Sequence, residues 1–311
     1  MSPAPPDPPG GPPAAAFDFA ADDLPELLES AGPAGADGVP LGGEFWKLAC
    51  GRRDVDLTGC ALEIARDHDP DCDPEVVRAW LFDRADEARG PVAAAASGRA
   101  ALAALADVLC GGHGLCGDAA AFDDPAGSLL HKVIAGTPGL PIALSILYVD
   151  VANRAGLPLA GVNAPHHFLT RLDAAEGPLF CDPYHDGRVL GEDAAVEFLM
   201  TRCDLAPAEI ADSLRPADPK TVVVRVLNNL KAQHARRADW AAAWAVQNRL
   251  AALQPGDYEQ RRDLALIALH AGRVGQAVDL LEDLIPCAPS AERPALRRHL
   301  ANAVAQVSRW N

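Results

Sequence analysis

The sequence predicts an α+β chain: a helical N-terminal part, a central helix laid on a short antiparallel sheet, and an all-α C-terminal tail. Three observations predict it. The run from Ile142 to Gly156, IALSILYVDVANRAG, carries apolar residues on nearly every side, the pattern of a helix buried all round. Four short strand-like runs follow it, punctuated by Gly and Pro. Beyond the Pro/Asp-rich stretch Arg215-Pro-Ala-Asp-Pro219, the chain answers itself at a spacing of 34 residues.

Taken in order, residues 1–40 hold ten of the 27 prolines, mixed with Gly and Ala. So little apolar surface cannot offset the entropy of ordering, so this segment is expected to be a flexible arm, with a short helix around Ala21–Ser30. From Phe45 the pattern turns amphipathic, through Leu48, Leu57, Ala61, Leu62 and Ile64. Asp73-Pro74 opens a helix with Val76, Val77, Trp80, Leu81 and Ala85 on one face and proline in its first turn. A further helix is expected over 97–110, then a Gly-rich loop from Cys110 to Gly117, then a helix over Leu129–Ile134. Pro141 starts the central helix and Gly156 stands just past its end. The expected strands are Leu159–Asn163, His167–Leu172, Leu179–Asp182 and Arg188–Leu190, an antiparallel group packed on that helix.

In the tail, Leu230 answers Leu264, Ala243 answers Ala277, Leu250 answers Leu284 and Pro255 answers Pro289. Small residues at the helix crossing and proline after the second helix fit tetratricopeptide-like hairpins, expected over about 221–254 and 257–287. The expected organisation is an arm at 1–40, an α+β domain at 41–215 and a helical-repeat domain at 220–311.

Composition removes several functions. With 43 Asp+Glu against 27 Lys+Arg, the formal charge is −16. No basic stripe is available to displace counterions from a nucleic acid or to sit on an anionic membrane, so neither is an expected partner. No apolar run reaches transmembrane length, and the first residues lack the basic and leucine-rich regions of a signal peptide, so a cytoplasmic location is expected. Eight cysteines without a CxxC pair read as free thiols rather than a disulfide framework or a zinc cage.

Several stretches together resemble the bacterial SirB family, whose members join a transglutaminase-like (papain-like) core to a tetratricopeptide-like tail. They are Ser128-Leu-Leu-His-Lys-Val-Ile134, Gly139-Leu-Pro-Ile-Ala-Leu-Ser-Ile-Leu-Tyr148, Gly156-Leu-Pro158, Gly161-Val-Asn-Ala-Pro-His-His-Phe-Leu169, Asp182-Pro-Tyr-His-Asp-Gly187 and Arg225-Val-Leu-Asn-Asn-Leu-Lys231. The resemblance covers about residues 45–300. It implies a cleft in which active relatives of the fold place a cysteine at the start of the central helix, a histidine on one strand and an aspartate on the next. His167 and Asp182 occupy the last two positions, and Pro141 stands where the nucleophile belongs.

Without a nucleophile, His167 and Asp182 read either as a vestigial dyad or as a hydrogen bond tying two strands together. His166, where the family usually has Gly, is expected on the opposite face from His167. Cys110 and Cys116 are conceivable substitute nucleophiles, whereas Cys181 is expected to face away from Asp182. His167, Asp182 and His185, with His166 or His113 as a fourth, are metal-ligand types, but no HExxH-like spacing accompanies them, so no metal and no cofactor are expected. The Gly-rich loop lacks the Lys-Ser/Thr of a phosphate loop, and Asp69–Asp73 reads as a capping turn rather than a calcium loop. Arg225, Asn228 and Asn229 share a helix face, and the two asparagine amides are expected to hydrogen-bond loop backbone. With Asn163, His166 and His185 they complete the expected binding residues. The function these readings favour is a non-catalytic interaction or regulatory module that meets an unidentified protein through the repeat groove. The competing reading is a cysteine- or metal-dependent hydrolase or acyltransferase acting on peptide amides.

Overall fold

In the helical opening, the helices form on apolar stripes, and two of them are capped by a side chain, Asp73 and Ser97. The computed structural model describes residues 43–310, so the arm expected at 1–40 and its short helix lie outside the described residues. Four helices come first: α1 (Gly43–Ala49), α2 (Leu57–His68), α3 (Pro74–Ala93) and α4 (Gly98–Ala106). Asp73 caps α3 by accepting the Glu75 N–H at 2.9 Å, with Pro74 at its first position. Asp69 closes the preceding turn, accepting from Asp71 N–H and lying 3.0 Å from His131 and 2.5 Å from Lys132, so the acidic run is the expected capping turn. The stripe on α3 is Val77, Leu81, Ala85, Ala88 and Val92, and Val76 is 61% exposed. A 3.6-residue period accounts for that correction, because position 76 falls outside the arc those residues define. The helix expected over 97–110 also changes character: after Ala106 it widens into a π turn over Asp107–Gly112.

A short helix, α5 (Leu130–Ile134), leads to the central α6 (Pro141–Arg154). From Pro141 through Tyr148 every residue of α6 is buried, as are Val151 and Ala152. The strands are β1 (Leu159–Val162), β2 (Leu169–Ala174), β3 (Gly177–Asp182) and β4 (Arg188–Gly191), antiparallel in the order β1-β2-β3-β4. β1 and β2 contact α6. Leu169 and Phe180 enter a second core with Ala195 and Leu199 of α7 (Glu192–Met200) and with Ile210 of α8 (Pro207–Ser213).

The tail comprises α9 (Pro219–Arg236), α10 (Trp240–Leu253), α11 (Tyr258–His270), α12 (Val274–Leu284) and α13 (Arg293–Trp310). α10 and α12 begin 34 residues apart, and both crossing alanines, Ala243 and Ala277, are fully buried in one core with Trp244, Leu269 and Leu281. α13 lies beyond the two hairpins the repeat predicts. Its Leu296 and Ala303 close the same core, and the Tyr258 hydroxyl donates to Glu292 at 2.8 Å just before α13 begins. A terminal element that covers the last repeat face is what a short repeat array requires. Two compact units account for the described chain, residues 43–229 and 230–310, with the division falling inside α9. Among the described residues no helix is long and apolar enough to cross a membrane.

Candidate functional site

His167 does not lie on a strand. After β1 the chain makes a tight turn at Pro165-His166, with the His167 N–H donating to Ala164 O at 3.2 Å, and β2 starts only at Leu169. Proline supplies no ladder donor and His166 takes φ +54°, so the extended run cannot begin at His167. The expectation that His166 and His167 alternate across a sheet is therefore corrected: His166 is exposed at the tip of a turn and His167 is buried behind it. The positive φ also gives a physical reason for Gly at this place in the resembled family.

Asp182 ends β3 and caps a single 3-10 turn, Pro183–His185, which returns the chain to β4. Asp186 and Gly187, both at positive φ, complete the reversal, and a Cβ on Gly187 would lie 2.3 Å from that of Ala106. Asp182 is fully buried and both its oxygens are used. Oδ1 lies 2.9 Å from His167 Nε2 and also faces the His185 N–H at 3.4 Å, while Oδ2 lies 2.7 Å from His185 Nδ1. Arg188, whose Cα pairs with that of Asp182 across the ladder, brings Nη2 to 3.6 Å of Oδ2. Burial alone pushes this carboxyl up, but the hydrogen bonds from His167 and His185 outweigh it and hold Asp182 well below the usual carboxylate range. It is a buried anion shared between two imidazoles.

Aromatic rings wall the cluster. Tyr184 and Phe198 stand edge-on to His167 at centroid distances of 6.0 and 5.3 Å, and Arg188 lies over the Phe198 ring at 4.5 Å. Tyr184 packs so closely on Gly117 that a Cβ there would lie 2.0 Å from the ring. The neighbouring Cys116 carbonyl accepts the N–H of Gly139, two residues before Pro141. Tyr184 thus touches the dyad and Gly117, whose neighbour Cys116 is bonded to the segment that leads into α6.

No thiol lies within hydrogen-bonding reach of His167 among the described residues. Cys110 contacts Asp186 Oδ1 at 3.6 Å, and burial, with that carboxylate, pushes its thiol up to about 11. Cys181 is buried, donates to Gly187 O at 3.5 Å, and is pushed up to about 12, again chiefly by burial. Neither is poised as a thiolate. His113 pairs with Glu87 at 2.8 Å, and His166 is exposed, so neither makes a contact with the Asp182 cluster.

The other predicted residues divide. Arg225 donates to Asn163 Oδ1 at 2.8 Å and to Ala164 O at 3.3 Å, bracing the turn that carries His166 and His167. Asn228 and Asn229 are half-buried on the same helix and make no side-chain hydrogen bond among the described residues, so the hold on loop backbone expected of the asparagines is made by Arg225 instead. A planar guanidinium reaches a side-chain and a backbone oxygen at once, which a short amide on the next turn cannot. Sequence reasoning missed Tyr184, Phe198, Arg188 and Gly117. Tyr184 had a signal, its place inside Asp182–Gly187, whereas Phe198 reads in sequence as an ordinary apolar residue of α7.

Comparison with known proteins agrees with this layout. The transglutaminase-like superfamily profile matches residues 75–228, and a tetratricopeptide-repeat profile matches residues 230–307. A UPF0162 protein of Xylella fastidiosa strain Temecula1 is 32% identical over 252 residues, which is 79% of this chain and 89% of the relative. A UPF0162 protein of Pseudomonas aeruginosa is 29% identical over 215 residues, 67% of this chain and 77% of that protein. Protein SirB1 of Salmonella typhimurium is 26% identical over 138 residues, 44% and 51% of the two chains. No solved structure matches the chain.

Proposed function

From a chain that belongs to the SirB-like UPF0162 family, with a transglutaminase-like core and a tetratricopeptide-repeat tail, we propose a non-catalytic, cytoplasmic interaction or regulatory module. The observation that carries this reading is Pro141, buried at the first position of α6 where the resembled enzymes place their thiol. Proline offers neither a nucleophilic atom nor a backbone N–H to an oxyanion. Supporting it, burial holds the two thiols bonded near the dyad loop in the protonated form, and His167 itself is buried with Tyr184 edge-on to its ring. The domains we assign to it are the core at 41–215 and the repeats at 220–311, the repeats presenting the groove for a protein partner.

Turnover and thiol reactivity test this reading together. The purified full chain is expected to show no transamidation or peptidase turnover with glutamine or peptide substrates, and iodoacetamide is expected to label no cysteine unusually fast near pH 6. A hyper-reactive Cys110 or Cys116 whose labelling slows in His167→Ala would overturn it, because the nucleophile would then have migrated to the loop.

A further inference from the structure

A vestigial dyad accounts for one histidine on Asp182, and the structure has two. His167 approaches from the turn before β2 and His185 from the 3-10 turn after β3, each aiming a ring nitrogen at a different oxygen of the same carboxylate. One ligand atom from each of the three residues can be chosen so that all lie within 4.8 Å of one another. Neither histidine needs the other to tie the strands together, since the β2–β3 and β3–β4 ladders already do so.

We propose that His167 Nε2, His185 Nδ1 and the Asp182 carboxylate form a binding site for one divalent transition-metal ion of the zinc class. Two imidazoles and one carboxylate are the donor set such ions take, whereas magnesium and calcium select all-oxygen sites. The geometry supports it: the carboxylate is fully buried and each of its oxygens faces an imidazole nitrogen. The positions are also pre-set. His185 is fixed at both its N–H and its Nδ1 to the residue that would share the ion, and the Arg225 brace on Asn163 and Ala164 steadies the turn that presents His167. Phe198 and Tyr184 supply the apolar surround that limits competition from water.

Binding requires a modest rearrangement. A metal accepts the lone pair of each facing nitrogen, so the imidazole proton must sit on the opposite nitrogen of each ring, a tautomer change with no net proton transfer when both rings are neutral. The group opposing the ion is Arg188, 3.6 Å from Oδ2, whose exposed guanidinium lies over the Phe198 ring and has to swing outward when the ion binds. With three protein ligands, a fourth position stays open to water. This inference is independent of the non-catalytic reading, since it is read by binding rather than turnover.

The test is metal titration of the chelator-treated full chain, with Zn²⁺ by calorimetry and Co²⁺ by visible absorption. The expected result is one ion per chain and tetrahedral cobalt bands without thiolate charge transfer. His185→Ala, at a half-buried position where circular dichroism can confirm folding, is expected to weaken binding roughly 100-fold or more, since even an outer-shell change costs up to that much. Asp182→Asn is expected to do the same, and a Cys110→Ser/Cys116→Ser variant to bind as the parent does. Absence of binding by the parent chain, unchanged affinity in folded His185→Ala, or loss of binding in the cysteine variant would each overturn the site.

Discussion

Each unit buries a carboxylate among basic side chains, and the two clusters differ in what their charges can do. In the repeat unit, Lys231 Nζ lies 2.9 Å from Asp263 Oδ2 and Arg262 Nη2 lies 3.2 Å from Oδ1, all three residues being buried within helices. In the transglutaminase-like unit, Asp182 meets two imidazoles supplied by turns. Lysine and arginine stay charged across the neutral range, whereas imidazole as a group changes charge there and binds metals. The first arrangement therefore suits a fixed framework, and the second presents the donor types that metal ions take. Their origins match: helix interiors cannot shift without breaking the backbone ladder, but turns at strand ends can be remodelled freely.

The largest effect is expected from breaking the helical cluster. Asp263→Ala leaves Lys231 buried without its carboxylate and should cost about 3–5 kcal/mol in urea unfolding. Replacing Lys231 and Asp263 together by apolar residues should recover most of that loss. A cost below about 1 kcal/mol for Asp263→Ala, the level of an exposed pair, would deny the cluster its structural role.

Asp182→Asn should cost somewhat less, about 2–4 kcal/mol at pH 7, because the amide keeps one acceptor for the histidines. Its pH dependence sharpens the contrast. The folded-state pKa of Asp182 is depressed, so its stabilisation is fully present above the unfolded aspartate value near 4 and is lost as pH falls toward the folded value. The difference between parent and variant should accordingly narrow below about pH 4 in equilibrium unfolding. A gap that stays constant down to about pH 3 would mean that the charge contributes nothing to stability.

Ala277→Phe tests the repeat without touching charge. Its Cβ is fully enclosed at the helix crossing, so overpacking should lower stability by about 1–3 kcal/mol, read as a fall in Tm. The smallest effect concerns the turn beside the dyad. His166 adopts φ +54°, which glycine takes without strain but only by adding freedom to the unfolded chain. His166→Gly should stabilise the protein by about 0.5 kcal/mol, and a loss instead would show that the imidazole itself is held in place.

Much of the framework is legible in the amino-acid sequence. α6, the four antiparallel strands and the 34-residue repeat follow from patterns that recur over a few residues, where periodicity reports burial directly. The dyad is legible as residue types at matching positions, but not as geometry. The apolar neighbours of His167 suggest a strand, and only the Pro165-His166 turn shows that the histidine precedes one. In sequence Asn228 and Asn229 look equivalent to Arg225, since a helix face gives neighbours without telling which side chain is long enough to reach a loop.

The sequence by itself determined the central helix, the approximate places of the four strands, the repeat and most of the apolar residues that fill the cores, and that α6 begins with an imino acid instead of a thiol. Those properties depend on local sterics and on the spacing of apolar side chains. The tertiary structure decided that His185 joins His167 on Asp182, that Phe198 and Tyr184 enclose them, and that Cys110 and Cys181 spend their thiols on Asp186 and Gly187. Such contacts join segments that no local period relates, so they exist only once the sheet has been closed and its turns folded back upon it.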